Sequence, residues 1–299
     1  MLTSCLRTSG DVLIRESQTR STLMSATVTF EVTSPLGPQT VTLSYARAGR
    51  GEPLLLLHGI GHHRQAWDPV VDILATEREV IAVDLPGFGA SPSLPHGLTH
   101  DLPTMNAALG ALCEELELGR PHVAGNSLGG LLALELGREG LVRSVTALSP
   151  AGFWTGAERR YAFAVLIGMR RIAERLPLPM VERLARSAAG RAALTSTIYA
   201  RPGRRSPEAV VAETLALAGA TGFTETLRAG TAVRFTDDVP GIPVTVAWGA
   251  RDRLLVPRQG VRAKQIIPRA RLVRLPGCGH VPMNDDPALV ARVILDGSR

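Results

Sequence analysis

Lysine is nearly missing from this 299-residue chain: Lys264 is the only one, and arginine supplies every other basic side chain. The 33 basic and 27 acidic groups leave a net charge of +6 at pH 7. The arginines are scattered among acids, with no long basic run and no interleaved aromatics, so no nucleic-acid partner is expected. Long apolar runs are missing too. Residues 54–57, among the longest, are strand-sized, far short of the ~20 residues that cross a membrane. Cysteine is scarce: Cys5, Cys113 and Cys278 are odd in number, widely spaced and without metal-ligand rhythm. They make no disulfide framework, which points to a reducing cytoplasm. Residues 1–25 carry Arg7, Arg15 and Arg20 but no apolar h-region, so no secretory signal is expected. Leu2-Thr3-Ser4-Cys5 resembles a lipoprotein box, but no apolar segment precedes it. Met24 opens a strand-like run and rivals Met1 as the start, so residues 1–25 are expected to form a disordered extension. The remaining composition, 45% hydrophobic and 20% charged, is that of a globular chain long enough to bury a large core.

Residues 27–32 (TVTFEV) and 39–46 (QTVTLSYA) alternate with period two around Pro35-Leu36-Gly37-Pro38, and so read as an antiparallel pair. Residues 53–58 (PLLLLH) are continuously apolar, which suits a strand buried on both faces. Residues 80–84, 122–125, 142–148, 244–248 and 270–275 repeat that pattern. Helical stretches at 67–76, 102–118, 128–139, 258–267 and 286–295 alternate with them, which predicts an α/β fold with a mostly parallel sheet. Between 152 and 238 no strand pattern occurs. Helices are expected at 158–176, 180–188, 207–218 and 223–235, inserted between the sixth and seventh strands as a cap. Residues 26–151 and 239–299 then form the core.

Residues 122–130 (HVAGNSLGG) run from a strand through G-x-S-x-G into a helix. A serine on such a turn has strained backbone angles, and Gly125 and Gly129 leave room for it. The following helix N-terminus favours a developing oxyanion. Serine is a poor nucleophile without a base, so a later histidine and an acid are required. Asp252 follows the 244–248 strand, and His280 follows the last strand. The order Ser127, Asp252, His280 differs from that of chymotrypsin or subtilisin. Two backbone N–H groups must hold the oxyanion. Leu128 offers one, and the loop His58-Gly59-Ile60-Gly61 offers the other at Ile60.

HGIG (58–61), DLPGFGAS (84–91), GNSLGG (125–130), WGARDRL (248–254) and GCGHVP (277–282) together resemble the signatures of the α/β-hydrolase superfamily. The resemblance spans residues 26 to 299, interrupted by the cap. It implies an eight-stranded, mostly parallel sheet with helices on both faces. It assigns Ser127 as nucleophile, His280 as base then acid, and Asp252 as the group orienting the histidine. A small-molecule ester or related acyl compound is the implied substrate, with no cofactor. Ser127 sets aside haloalkane dehalogenases and most epoxide hydrolases of this fold, which use aspartate at the elbow. Ile60 stands where perhydrolases often carry an aromatic residue. Hydroxynitrile lyases require further polar groups in the cap. The GNS-x-GG elbow resembles meta-cleavage-product C–C hydrolases, although Val281-Pro282 replaces their usual aromatic residue after the histidine. C–C hydrolysis is therefore the alternative chemistry. A non-catalytic receptor or scaffold on the same fold is the alternative of another class. The sequence leaves substrate identity and oligomeric state open.

Gly59, Trp67, Phe153, Trp154 and Val281 are the candidate pocket residues, and Tyr161 and Phe163 could join them. The Met169–Ile172 stripe is expected in the core of the cap, and Arg159, Arg160, Arg170, Arg171 and Arg175 on its solvated face. His62 and His63 are adjacent, so their side chains are expected to point apart; with no third ligand, no metal site is expected. His58 should support the oxyanion loop and Asp84 should brace the turn after its strand. Cys113 and Cys278 should pack in the core.

Overall fold

The computed structural model describes residues 24–34 and 37–299. The expected N-terminal extension up to residue 23, with Cys5, lies outside them, as do Pro35 and Leu36 of the expected turn. Eight strands form one sheet: β1 (Met24–Ser34), β2 (Gly37–Ala48), β3 (Glu52–Leu57), β4 (Arg78–Val83), β5 (His122–Asn126), β6 (Ser144–Leu148), β7 (Val244–Gly249) and β8 (Arg271–Leu275). Their order is β1-β2-β4-β3-β5-β6-β7-β8. β1–β2 and β2–β4 pair antiparallel, and every other pair is parallel. β1 therefore begins within the expected extension, at Met24.

The four leucines of β3 show how the sheet is sealed. Leu55 and Leu57 face one apolar cluster, with α2 (Leu102–Glu115), α3 (Leu128–Arg138) and α9 (Arg258–Ile266). Leu54 and Leu56 face the other, with α1 (Asp68–Leu74) and α11 (Pro287–Gly297). Successive strand side chains point to opposite faces, so a continuous apolar run needs a helix layer on each side. Each buried leucine contributes roughly 1.5–3 kcal/mol.

Between β6 and β7 lie α4 (Gly156–Arg175), α5 (Leu178–Ala185), α6 (Ala188–Thr195), α7 (Pro207–Gly219) and α8 (Phe223–Ala229). A reciprocal Thr155–Glu158 capping box starts α4. The helix expected over 180–188 is α5, which ends at Ala185. A separate helix, α6, was not expected; it starts at Ala188, where Ser187 accepts the Gly190 N–H as its N-cap. The helix expected to reach residue 235 stops at Ala229. Phe235 instead packs against Phe153, with ring centroids 5.4 Å apart, and its N–H bonds the Gly152 carbonyl. The four-residue helix α10 (Pro282–Asp285), just after His280, was not expected.

Candidate active site

β5 passes into α3 through Ser127, whose φ of 56° and ψ of −113° are unusual for a residue with a side chain. Such a conformation costs on the order of 1–3 kcal/mol and persists only when its surroundings hold it. Here Ser127 N–H donates to the Leu148 carbonyl, and the Ser127 carbonyl accepts from Leu131 and Ala151 N–H, all at 3.0 Å. The flanking glycines allow backbone to touch backbone. A Cβ on Gly125 would lie 2.0 Å from the Gly129 carbonyl oxygen, and one on Gly129 would lie 2.1 Å from that of Leu57.

Asp252 leaves the end of β7 and His280 the end of β8, and both are buried. His280 Nδ1 donates to Asp252 Oδ2 at 2.8 Å. Asp252 Oδ1 accepts from the Leu254 and Leu255 N–H groups at 2.9 and 2.8 Å. The carboxylate is thereby fixed, and it orients the ring so that Nε2 is left for proton exchange. Ser127 and His280 line one cavity.

Two residues that pattern reasoning passed over hold this arrangement. Asn126 Nδ2 donates to the carbonyls of Leu148 and His280, at 3.0 and 2.9 Å. It ties the turn carrying the serine to the loop carrying the histidine. Its only signal in the chain is its place beside Ser127. Asp285, fully buried, accepts from Gly279, Ala200 and Arg201 N–H at 2.8, 3.0 and 2.6 Å. It pins the histidine loop to the helical insertion, a link between distant segments that no local pattern announces.

On the loop after β3, His58 is a support, as expected. His58 Nδ1 donates to the Gly59 carbonyl at 2.7 Å, and Nε2 accepts from Leu85 N–H at 3.0 Å. Burial pushes its pKa down to about 4, so the ring is a neutral strut. Asp84 braces the next turn, accepting from Arg64 N–H at 2.6 Å and Ala90 N–H at 3.0 Å and pairing with the Arg64 guanidinium. Leu128 is the first residue of α3, so its N–H has no acceptor within the helix. His62 and His63 stack, their centroids 5.3 Å apart, instead of pointing apart. The cause is His63 N–H, which donates to His62 Nδ1 at 3.1 Å and turns that ring back.

Two cavities meet at Ser127. The larger, about 170 Å³, is lined by Gly59, Asn126, His280 and Val281 on one side and by Met169, Ile172 and Leu217 of the insertion on the other. The smaller, about 60 Å³, is lined by Leu128, Leu131, Trp154, Phe163 and Leu227. Ile60, Ser127, Leu166 and Leu254 line both. Gly59, Trp154 and Val281 thus line these cavities. Trp67 and Phe153 do not. Trp67 is fully buried beneath the opposite face of the sheet with Val70 and Leu74, and Phe153 is buried against Phe235. Met169 and Ile172 line the cavity rather than filling the insertion's core. Arg170 is not simply solvated: it hydrogen-bonds the Ala220 carbonyl and lies 4.9 Å over the Phe223 ring. Tyr161 is exposed and donates to the Arg253 carbonyl at 2.9 Å. Cys113 and Cys278 are core residues, and burial pushes both thiols up to about 12, which leaves them unreactive near neutrality.

The chain is similar to proteins already known. A family described as "Alpha/beta hydrolase family" matches residues 54–293. An uncharacterized protein of Mycobacterium tuberculosis is 30% identical over 264 residues, covering 81% of this chain and 73% of that protein. A thermophilic esterase from Thermogutta terrifontis superposes with a TM-score of 0.69 at 22% identity, covering 90% of this chain and 97% of that one. A meta-cleavage product hydrolase from Pseudomonas fluorescens does so with a TM-score of 0.67 at 19% identity, covering 89% and 96%. At these identities the structural likenesses concern the fold.

Proposed function

The chain belongs to the alpha/beta hydrolase family, and on that premise we propose that it is a serine hydrolase cleaving a carboxylic ester or related acyl compound. The observation that carries this reading is the Asp252–His280 hydrogen bond set beside Ser127 on its strained turn. His280 Nε2 takes the Ser127 proton as Oγ attacks the carbonyl carbon. The carbonyl π electrons move onto oxygen, and Leu128 and Ile60 N–H hold that oxyanion. Collapse expels the alkoxide, which receives the proton from His280. Water, deprotonated by the same ring, then frees the acid from Ser127. Losing one oxyanion donor typically costs ~10²–10³ in turnover.

The histidine also orients the substrate. Because His280 must reach the leaving oxygen, the alcohol half lies in the larger cavity, which His280 lines. The acyl half then enters the smaller cavity beside Leu128, so tolerance of acyl length is narrower than tolerance of alcohol size. Residues 152–238 serve as the cap. No helix among the described residues is long and apolar enough to cross a membrane, and the cysteine pattern supports a cytoplasmic setting.

C–C hydrolysis of a diketone acid calls for a cap arginine that grips a carboxylate. The cap arginine behind the larger cavity, Arg205, is already paired with Glu213, which favours the ester. The test is hydrolysis of p-nitrophenyl esters from acetate to laurate by the wild type and Ser127→Ala. The expected result is Ser127-dependent turnover with a short-chain optimum. Turnover that survives the substitution would sink the mechanism.

A further inference from the structure

The larger cavity is apolar on most of its surface but has a polar wall. His62 and Glu213 line it, and both are nine-tenths buried or more. Glu213 Oε1 is fully engaged: it accepts from Tyr199 Oη at 2.8 Å and pairs with the Arg205 guanidinium. Arg205 in turn lies 5.5 Å over the Tyr199 ring. His62 Nδ1 accepts from His63 N–H, so the neutral ring carries its proton on Nε2, 3.3 Å from Tyr199 Oη. Burial, with His63, His58 and Arg205 nearby, holds His62 well below its ordinary pKa. Glu213 Oε2 is different. It is buried and has no hydrogen-bond partner among the described residues.

A buried carboxylate oxygen without a donor is costly and calls for an explanation. The charge balance says what donor would suit it. Arg205 neutralises Glu213, and His62 is uncharged. A substrate ammonium would add an uncompensated buried cation, and a substrate carboxylate would face Oε2 as a like charge. A neutral hydroxyl meets neither penalty.

We propose that Glu213, held by Arg205 and Tyr199 beside His62, is a polar subsite for a hydroxyl on the alcohol half of the substrate. The preferred substrate is then an ester of an apolar alcohol that carries a second, remote hydroxyl: a monoester of a diol. This inference rests on the ester-hydrolase reading for its orientation, since that reading places the alcohol in the larger cavity. The four side chains are specificity residues and take no part in proton transfer.

The experiment uses ω-hydroxyalkyl butanoates, from hydroxyethyl to hydroxyoctyl, each matched to the alkyl butanoate in which methyl replaces the hydroxyl. Binding is measured by calorimetry on Ser127→Ala, and kcat/KM on the wild type. At one chain length the hydroxylated ester should bind at least about 10-fold more tightly than its match, as a hydrogen bond to a charged group implies. The corresponding methyl ether, which cannot donate, should lose that advantage. In the Arg205→Met/Glu213→Leu double variant, which removes both charges together, the ratio should fall to about one. Equal binding at every length, an ether that binds as well as the alcohol, or a preference that survives the double variant would each overturn the subsite. Hydrolysis of both esters without a binding preference would leave the ester reading standing and remove the subsite. A binding preference without hydrolysis would do the reverse.

Discussion

The larger cavity has two walls of different construction. One is made by the carboxyl ends of β3, β5 and β8 and the turns that follow them, where backbone meets backbone and buried side chains bond to main-chain groups. The other is made by the insertion, where methionine, leucine and isoleucine side chains and the buried Glu213, paired with Arg205 behind it, supply the surface. The first wall can hold atoms in fixed positions because its distances are set by main-chain packing. The second can vary from one relative to another without disturbing the first. On the proposed reading, chemistry belongs to the rigid wall and selectivity to the replaceable one.

The largest expected effect breaks the rigid wall at its reacting atom. Ser127→Ala should lower kcat on p-nitrophenyl butanoate by about 10⁴-fold or more while circular dichroism stays unchanged. Backbone packing comes next. Gly129→Ala puts a Cβ against the Leu57 carbonyl and should cost at least about 3 kcal/mol or leave no soluble fold, as read by urea unfolding. The insertion behaves in the opposite sense. A Cβ on Gly168, within α4, would meet nothing within 4 Å, so Gly168→Ala should stabilise by about 0.5–1 kcal/mol.

Two further changes sharpen the comparison from the rigid side. Folded His58 has its pKa pushed down to about 4, whereas an unfolded histidine titrates near 6.5. The unfolded chain therefore binds the proton first. The stability owed to neutral His58 is complete above pH 6.5 and is lost as the pH falls toward 4, by about 3 kcal/mol. His58→Gln should flatten that slope in denaturant melts taken across the window. Asn126→Ala leaves the Leu148 and His280 carbonyls without their side-chain donor. It should lower kcat about 10-fold with little change in KM, because the histidine loop loses its tether to the serine turn.

The same division explains what was legible in the chain. Ser127, Asp252 and His280 each follow a short apolar strand and sit near glycines, so local pattern and chain order were enough to propose them, and the fold brings them to one end of the sheet. The sheet was legible for the same reason, since a run such as that of β3 has one stable environment. Trp67 and Phe153 were misplaced because an aromatic residue signals burial, not which side of the sheet buries it. Met169 was misread because helical periodicity marks a buried stripe without saying whether protein or an empty cavity lies against it. Glu213, Tyr199 and His62 were illegible together: the Tyr199–His62 contact spans 137 positions, and only the folded insertion brings them into one wall.

The central claim is that acyl transfer passes through Ser127. Its most direct test is peptide mapping by mass spectrometry after a fluorophosphonate probe has reacted with the folded protein. One adduct is expected, on the peptide containing Ser127, lost on heat unfolding and absent from Ser127→Ala. Ester hydrolysis with no adduct on that peptide, or with the adduct on another residue, would contradict it.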